Sequence, residues 1–286
     1  MEEWFTTGQD QAVMTRQHQR DILKEPVDGK CRLCVTKDET TQHIISGCEK
    51  LAGTYYVRRH NNLVQYVYWC LAKKHKIEVS NLWWKETLVQ PQVKENETAK
   101  IMWEMPVQTD VTVTHNRPDL IYINKTTNKT YLIDITVPSD YNIGPKEIEK
   151  LSKYHLLKTE ISRLWNTQTT VIPIVIGVTG IVAKSIKKYI DQLDASIDIH
   201  ILQKQAAIHS STILSKVLGD TVFVRATEEQ HSHTDTHTPD IPETQNTHPS
   251  PSTEAEPAIQ EQSTQQSPNT EHPSSSRPRR GRRRTR

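Results

Sequence analysis

HNRPDLIYI, residues 115–123, and TYLIDITVP, residues 130–138, read as two adjacent strands, β-branched and aromatic in character and joined by the polar run NKTTNKT. A polar connection of that kind predicts a hairpin, hence antiparallel neighbours. Asp119 stands at the mouth of the first strand, where Pro118 holds Arg117 extended and delivers the acid at the strand start. Asp134 stands inside the second, between Ile133 and Ile135, whose side chains point to the opposite face. An acid in an otherwise apolar strand is costly to bury unless a cation or a metal compensates it. Just downstream, the helical stretch EIEKLSKYHLL supplies Lys150, Lys153 and Tyr154 at spacings that project from one side of a helix. Two carboxylates on neighbouring strands with a lysine nearby suit Mg²⁺ or Mn²⁺ and a water aimed at a phosphodiester. As residue types alone they form a low-information set, read equally well as a turn acid, a half-exposed strand acid and a solvated lysine face. Glu104 is a weaker additional ligand, and His115 a turn residue or phosphate contact.

Working outward, Ile101, Trp103 and Met105 alternate, as do Val111 and Val113, so both segments are expected to be strands. A helix is expected from Pro145, with Ile148, Leu151, Ile161 and Leu164 on its apolar side. TTVIPIVIG then reads as a buried strand whose Pro173 demands an edge or irregular position, and helices over 181–194 and 201–218 follow. Upstream, residues 9–24 read as a short helix ended by Pro26, and residues 54–76 as an amphipathic helix with a basic surface. Leu82, Trp83, Trp84, Leu88 and Val89 suggest a short helix followed by a loop. The order of helix, three strands, helix and strand predicts an α/β layered domain. The expected organisation is an N-terminal helical segment (1–27), a metal knuckle (28–50), a basic helix (51–79), an α/β domain (80–222) and a tail (223–286).

Cys31, Cys34, His43 and Cys48 follow the spacing C-x2-C-x8-H-x4-C. A tight C-x2-C lets two thiolates approach one ion, and the later His and Cys close a tetrahedral shell, which predicts structural zinc. A redox pair or four unrelated residues are the competing readings. The segment has few apolar residues, so metal ligation rather than a core is expected to hold it. Lys30, Arg32 and Lys37 around the ligands read either as phosphate contacts or as a solvated basic face. Cys70 lies outside the cluster, on the apolar side of a helix, and reads as a small buried hydrophobe.

The 286 residues carry a formal net charge of +2, but this average conceals segregation. Residues 226–276 have acids, no Lys or Arg and no aromatics, a composition that cannot offset its own ordering entropy and predicts disorder. The final RPRRGRRRTR holds seven arginines, among them Arg279, Arg280, Arg282, Arg283 and Arg284. Such a cluster reads as a nuclear localisation signal or a nucleic-acid arm, so a near-neutral total does not argue against a DNA partner. The longest strongly apolar run, VIPIVIGV, is far short of a membrane span, and the acidic N-terminus is not a secretory signal.

The order C-x2-C-x8-H-x4-C, then Arg59-His60-Asn61, then Arg117-Pro118-Asp119, then the strand acid Asp134, then K-x-x-K-Y at 150–154, resembles the C-terminal region of site-specific non-LTR retrotransposon proteins. In that family a zinc knuckle precedes a restriction-like endonuclease of the PD-(D/E)xK type. The resemblance spans approximately residues 9–200. It implies zinc on Cys31, Cys34, His43 and Cys48, a catalytic Mg²⁺ or Mn²⁺ on Asp119 and Asp134, and completion of the site by Lys150 or Lys153 with Tyr154. Arg58, Arg59 and Arg117 and, outside the resemblance, the tail arginines are expected to contact DNA, or RNA as the alternative nucleic acid. Thr136 stands where the generic nuclease pattern has its lysine; the resemblance implies that the following helix supplies it instead. No polymerase triplet is found in the chain, so it is expected to be a fragment, a truncated element or a host gene derived from one, with a separate reverse transcriptase as one candidate partner. A non-catalytic nucleic-acid-binding protein, and an interaction scaffold centred on the tail, are the competing functional readings. No feature of the sequence fixes an oligomeric state.

Overall fold

The hairpin expected from residues 115–138 forms the centre of a five-stranded mixed sheet. The structure, a computed structural model, describes residues 13–86 and 92–219. The strands are β1 (Gln92–Glu95), β2 (Ala99–Trp103), β3 (Leu120–Asn124), β4 (Lys129–Thr136) and β5 (Gln168–Val175), in that spatial order. β1 to β4 are antiparallel and β5 runs parallel to β4, with Asp134 opposite Pro173. Pro173 cannot donate to a ladder, which is tolerated because β5 is an edge strand.

The helices that accompany the sheet include two short ones, α1 (Arg16–Asp21) and α5 (Ile186–Gln192), and the longer α2 (Val57–Lys74), α3 (Ile143–Lys153), α4 (His155–Leu164) and α6 (Ile199–Leu218). Strand alternation sorts the core into two layers. On one face Ile101, Trp103, Leu120, Tyr122, Tyr131, Ile133 and Ile135 pack with Leu63, Val67 and Leu71 of α2 and with α5 and α6. On the other, Met102, Ile121 and Leu132 meet Tyr154, Leu157 and Ile161 around α3 and α4. Asp134 is two residues from Leu132 and so shares this second face, beneath the α3–α4 junction. Cys70 is a buried member of the first layer, as expected.

Several expectations are corrected. Residues 92–95, read as loop, form β1, whose ladder with β2 supplies order that its polar sequence does not signal. Val111 and Val113 alternate but form no strand; Val113 buries into the second layer from an irregular segment. The helix from residue 143 breaks at Tyr154, and Ile148, expected in the core, is 70% exposed because α3 turns Lys150 and Lys153 inward. Among the described residues around Trp83 a 3₁₀ turn forms, Trp83–Lys85, and Leu88 and Val89 lie outside the described residues. Among the described residues no helix is long and apolar enough to cross a membrane. The arginine cluster at 277–286 and the remainder of the tail lie outside the described residues.

Candidate functional site

Two polar clusters stand apart from the apolar layers. The first is built at the strand ends beneath α3. Asp134 is 2% exposed and is the convergence point of three side chains. The Tyr154 hydroxyl donates to its Oδ1 at 2.6 Å, and the Lys153 ammonium lies 3.4 Å from the same oxygen. The Lys150 ammonium lies 2.8 Å from Oδ2. That approach is close enough for an ion pair but off the hydrogen-bond direction, so Oδ2 is enclosed without a directed hydrogen bond. The break between α3 and α4 explains the convergence: Tyr154 caps the end of α3 and starts α4, dropping its ring into the second layer while the preceding turn presents both lysines.

Asp119 sits just ahead of β3, where its Oδ2 accepts the Ile135 backbone N–H at 2.6 Å and faces His60 Nε2 at 3.0 Å. The imidazole is steadied through Nδ1 by Asn61 at 3.0 Å. Burial lowers the basicity of His60, but the hydrogen bond and charge of Asp119, with help from Asn61 and Asp134, outweigh it and lift the pKa to about 9. Burial and the charges of Asp134 and Asp119 also push the Tyr154 phenol far up, so it remains a proton donor. Lys150 is partly desolvated, which lowers its pKa, yet Asp134 and Asp119 raise it overall and keep the ammonium charged. The five residues expected at the site, Asp119, Asp134, Lys150, Lys153 and Tyr154, thus belong to one electrostatically coupled group. His60 is an addition: it appears in the sequence only as part of a triplet, and its 59-residue separation from Asp119 gives no local signal.

Carboxylate oxygens are the ligands that hard divalent cations take, although Asp134 Oδ2 is ion-paired with Lys150 at 2.8 Å. Both hydrogen bonds to Asp119 fall on Oδ2, and Asp134 retains Oδ2, so each carboxylate has an oxygen outside the directed network among the described residues.

No protein-family model matches the chain, and no curated protein matches its sequence.

The second cluster is the knuckle. Cys31, Cys34, His43 and Cys48 are all buried, their ligand atoms lie within 4.8 Å of one another, and together they could hold a metal ion such as zinc. Cys31 Sγ is 3.9 Å from Cys48 Sγ, and Cys34 Sγ is 3.3 Å from His43 Nε2. The Thr36 hydroxyl and the backbone N–H groups of Lys37 and Thr36 lower the Cys34 pKa to about 5, whereas burial raises Cys48 to about 11. The turn that brings the first two cysteines together leaves Val35 at φ +59°, a left-handed conformation that a β-branched residue adopts only when held there.

The knuckle is not without a core. Ile44, Ile45 and Leu51 pack with Val178 and with Ile213, Leu214 and Leu218 of α6, partners more than 120 residues away that no local reading supplies. Two of its basic residues are engaged, Arg32 by the fully buried Glu39 at 2.8 Å and Lys30 by Asp38 at 2.8 Å, whereas Lys37 is exposed.

Arg59, expected at a nucleic-acid surface, is corrected. It is 2% exposed, donates to the Ile45 carbonyl at 2.9 Å and to Ser210 Oγ at 2.8 Å, and lies over the Tyr56 ring. It ties the knuckle to α6. Arg58 is exposed beside it, without an ion pair among the described residues. Arg117 is paired with Glu104 at 2.6 Å, which also takes Glu104 away from the role of metal ligand. His115 is exposed in the connection before β3.

Proposed function

We propose that this protein is a divalent-metal-dependent endonuclease module acting on DNA, of the restriction-like PD-(D/E)xK class and of non-LTR retrotransposon type. The observation that carries the reading is Asp134: a buried acid on a central strand, met by Lys150, Lys153 and Tyr154 and flanked by Asp119 at the end of the neighbouring strand. A purely structural role does not need two carboxylates and two lysines gathered at one sheet end, given what desolvating them costs. The order of motifs along the chain supports the retrotransposon type. A nuclease of that type would act in the nucleus, alongside a reverse transcriptase activity.

Asp119 and Asp134 would hold Mg²⁺ or Mn²⁺. When bound, that ion polarises a phosphate and lowers the pKa of an adjacent water. Tyr154 fixes the rotamer of Asp134 by donating to Oδ1, and His60 with the Ile135 N–H fixes Asp119. Lys150, the nearer ammonium, stabilises negative charge developing on the scissile phosphate, while Lys153 holds Asp134 from the other oxygen. Thr136 contributes no lysine chemistry, in keeping with a helix-borne cation.

The test is nicking of supercoiled plasmid with added Mg²⁺ by wild type and by Asp134→Asn. Activity in wild type and its loss in a folded variant support the reading; equal inertness of two folded proteins sinks it. One observation favours a second reading, a non-catalytic nucleic-acid-binding protein: the lysines already neutralise Asp134, so the cluster is self-sufficient as an ion-pair network. That reading expects salt-sensitive DNA binding unaffected by Asp134→Asn.

A further inference from the structure

Away from the carboxylates, a cavity of about 450 Å³ opens between α2 and α6 and is lined by Asn62, Trp83, Trp84, Ile201, Lys204 and Gln205. Its composition is unusual for a surface left to solvent. Trp84 is 59% exposed, yet its ring is set edge-on to Trp83 at 5.8 Å and 88°, and Trp83 is itself buried against Tyr66. Gln65 holds this turn by donating to the carbonyls of Trp83 at 2.7 Å and Glu86 at 2.9 Å. The indole is thus a presented and braced surface.

The polar groups of the cavity are unspent. The Asn62 side-chain carbonyl is enclosed and has no hydrogen-bond partner among the described residues. Lys204 is exposed with no ion pair among those residues, and Arg58, equally unpaired, lies one helical turn before Asn62 on the same side of α2. An aromatic plate, an amide acceptor without a partner among the described residues and a cation lining one cavity, with a second cation one helical turn away, match a flat heterocycle with exocyclic N–H groups, joined to phosphates.

The geometry points to a stacking site for an unpaired base of single-stranded DNA, with Trp84 as the plate, Asn62 as the acceptor, and Lys204 and Arg58 as backbone contacts. It rests on the reading of a nucleic-acid partner proposed above, and it adds a strand-separated form of that substrate. His60 and Asn62 lie on the same helix, so α2 carries one residue of each site.

The experiment is titration of the full chain, without added divalent metal, with a single-stranded DNA oligonucleotide of about 12 nucleotides, reading tryptophan emission. Wild type is expected to show quenching and saturable binding. Trp84→Ala weakens binding by about 5- to 100-fold, Trp84→Phe retains most of it, and affinity for blunt duplex is unchanged in both. Unchanged single-strand affinity in Trp84→Ala overturns the site, as does an equal loss for single strand and duplex, or binding only of RNA of the same sequence. Trp84 is largely exposed, so its removal leaves the core intact. A wild type that binds and quenches but never nicks plasmid sinks the nuclease reading alone and leaves the stacking site supported.

Discussion

The Tyr154 hydroxyl donates to Asp134 Oδ1 across 2.6 Å, joining the α3–α4 junction to the middle of β4. The bond does two things. It satisfies a buried carboxylate oxygen, and it fixes the direction in which the other oxygen faces Lys150. Tyr154→Phe keeps the ring packed on Leu157 and Ile161 and removes only the donor. Chemical denaturation is expected to show a loss of about 1–3 kcal/mol, the cost of leaving a buried acceptor short of its partner. A change below a few tenths of a kcal/mol contradicts the role given to this bond.

Arg58 and Arg59 are neighbours in sequence with opposite environments, and their alanine variants separate cleanly. Arg58→Ala is expected to leave stability nearly unchanged and to lower the slope of log binding constant against log salt by about 1. Arg59→Ala deprives the Ile45 carbonyl and Ser210 Oγ of a buried donor and empties the volume over Tyr56. Its expected signature is a loss of about 1–3 kcal/mol of stability, seen as a lower unfolding midpoint, with the salt slope retained. Circular dichroism melts and salt-dependent binding isotherms check both.

For the knuckle, one zinc per chain is expected by elemental analysis, and Cys31→Ser or Cys48→Ser is expected to abolish it. Chelation then acts at a distance, since Ile44, Ile45 and Leu51 pack on α6. Amide exchange is expected to accelerate in residues 31–51 and at the C-terminal half of α6. Acceleration confined to the knuckle contradicts the shared core.

His209, on α6, has its pKa lowered by burial and by the positive charges of Arg58 and Arg59. A histidine depressed in the folded state binds fewer protons than in the unfolded chain. The stability it contributes is therefore full above the unfolded value of about 6.5 and is lost as pH falls below it. Thermal melts are expected to drop as the pH falls below about 6.5, while His60, raised to about 9, separately costs stability as the pH rises from about 6.5 toward 9. His209→Gln is expected to flatten part of that drop; an unchanged profile removes His209 as its source.

Much of the site was legible because it is written in local patterns. Pro118 before Asp119, the apolar flanks of Asp134 and the helical spacing of Lys150, Lys153 and Tyr154 each depend on a few neighbours, and all five belong to the cluster seen. The four knuckle ligands followed from spacing for the same reason. What escaped depends on distant partners. β1 is polar and is a strand only because β2 pairs with it, and Arg59 is buried only because Ser210 and Ile45 enclose it. Ile148 is exposed because α3 turns its lysines toward a buried acid, reversing the side that hydrophobicity alone selects.

The central claim is metal-dependent phosphodiester cleavage at Asp134. Its most direct measurement is the conversion of supercoiled plasmid to the open-circular or linear form with and without Mg²⁺, by wild type, Asp134→Asn and Lys150→Met, each verified as folded by its melt. The account expects cleavage by wild type only when Mg²⁺ is present, with a loss of at least 100-fold in Asp134→Asn and a smaller loss in Lys150→Met, in line with the removal of a metal ligand and of a charge-stabilising donor. Cleavage that is equal in wild type and Asp134→Asn, or absent from folded wild type under every divalent ion tried, contradicts it.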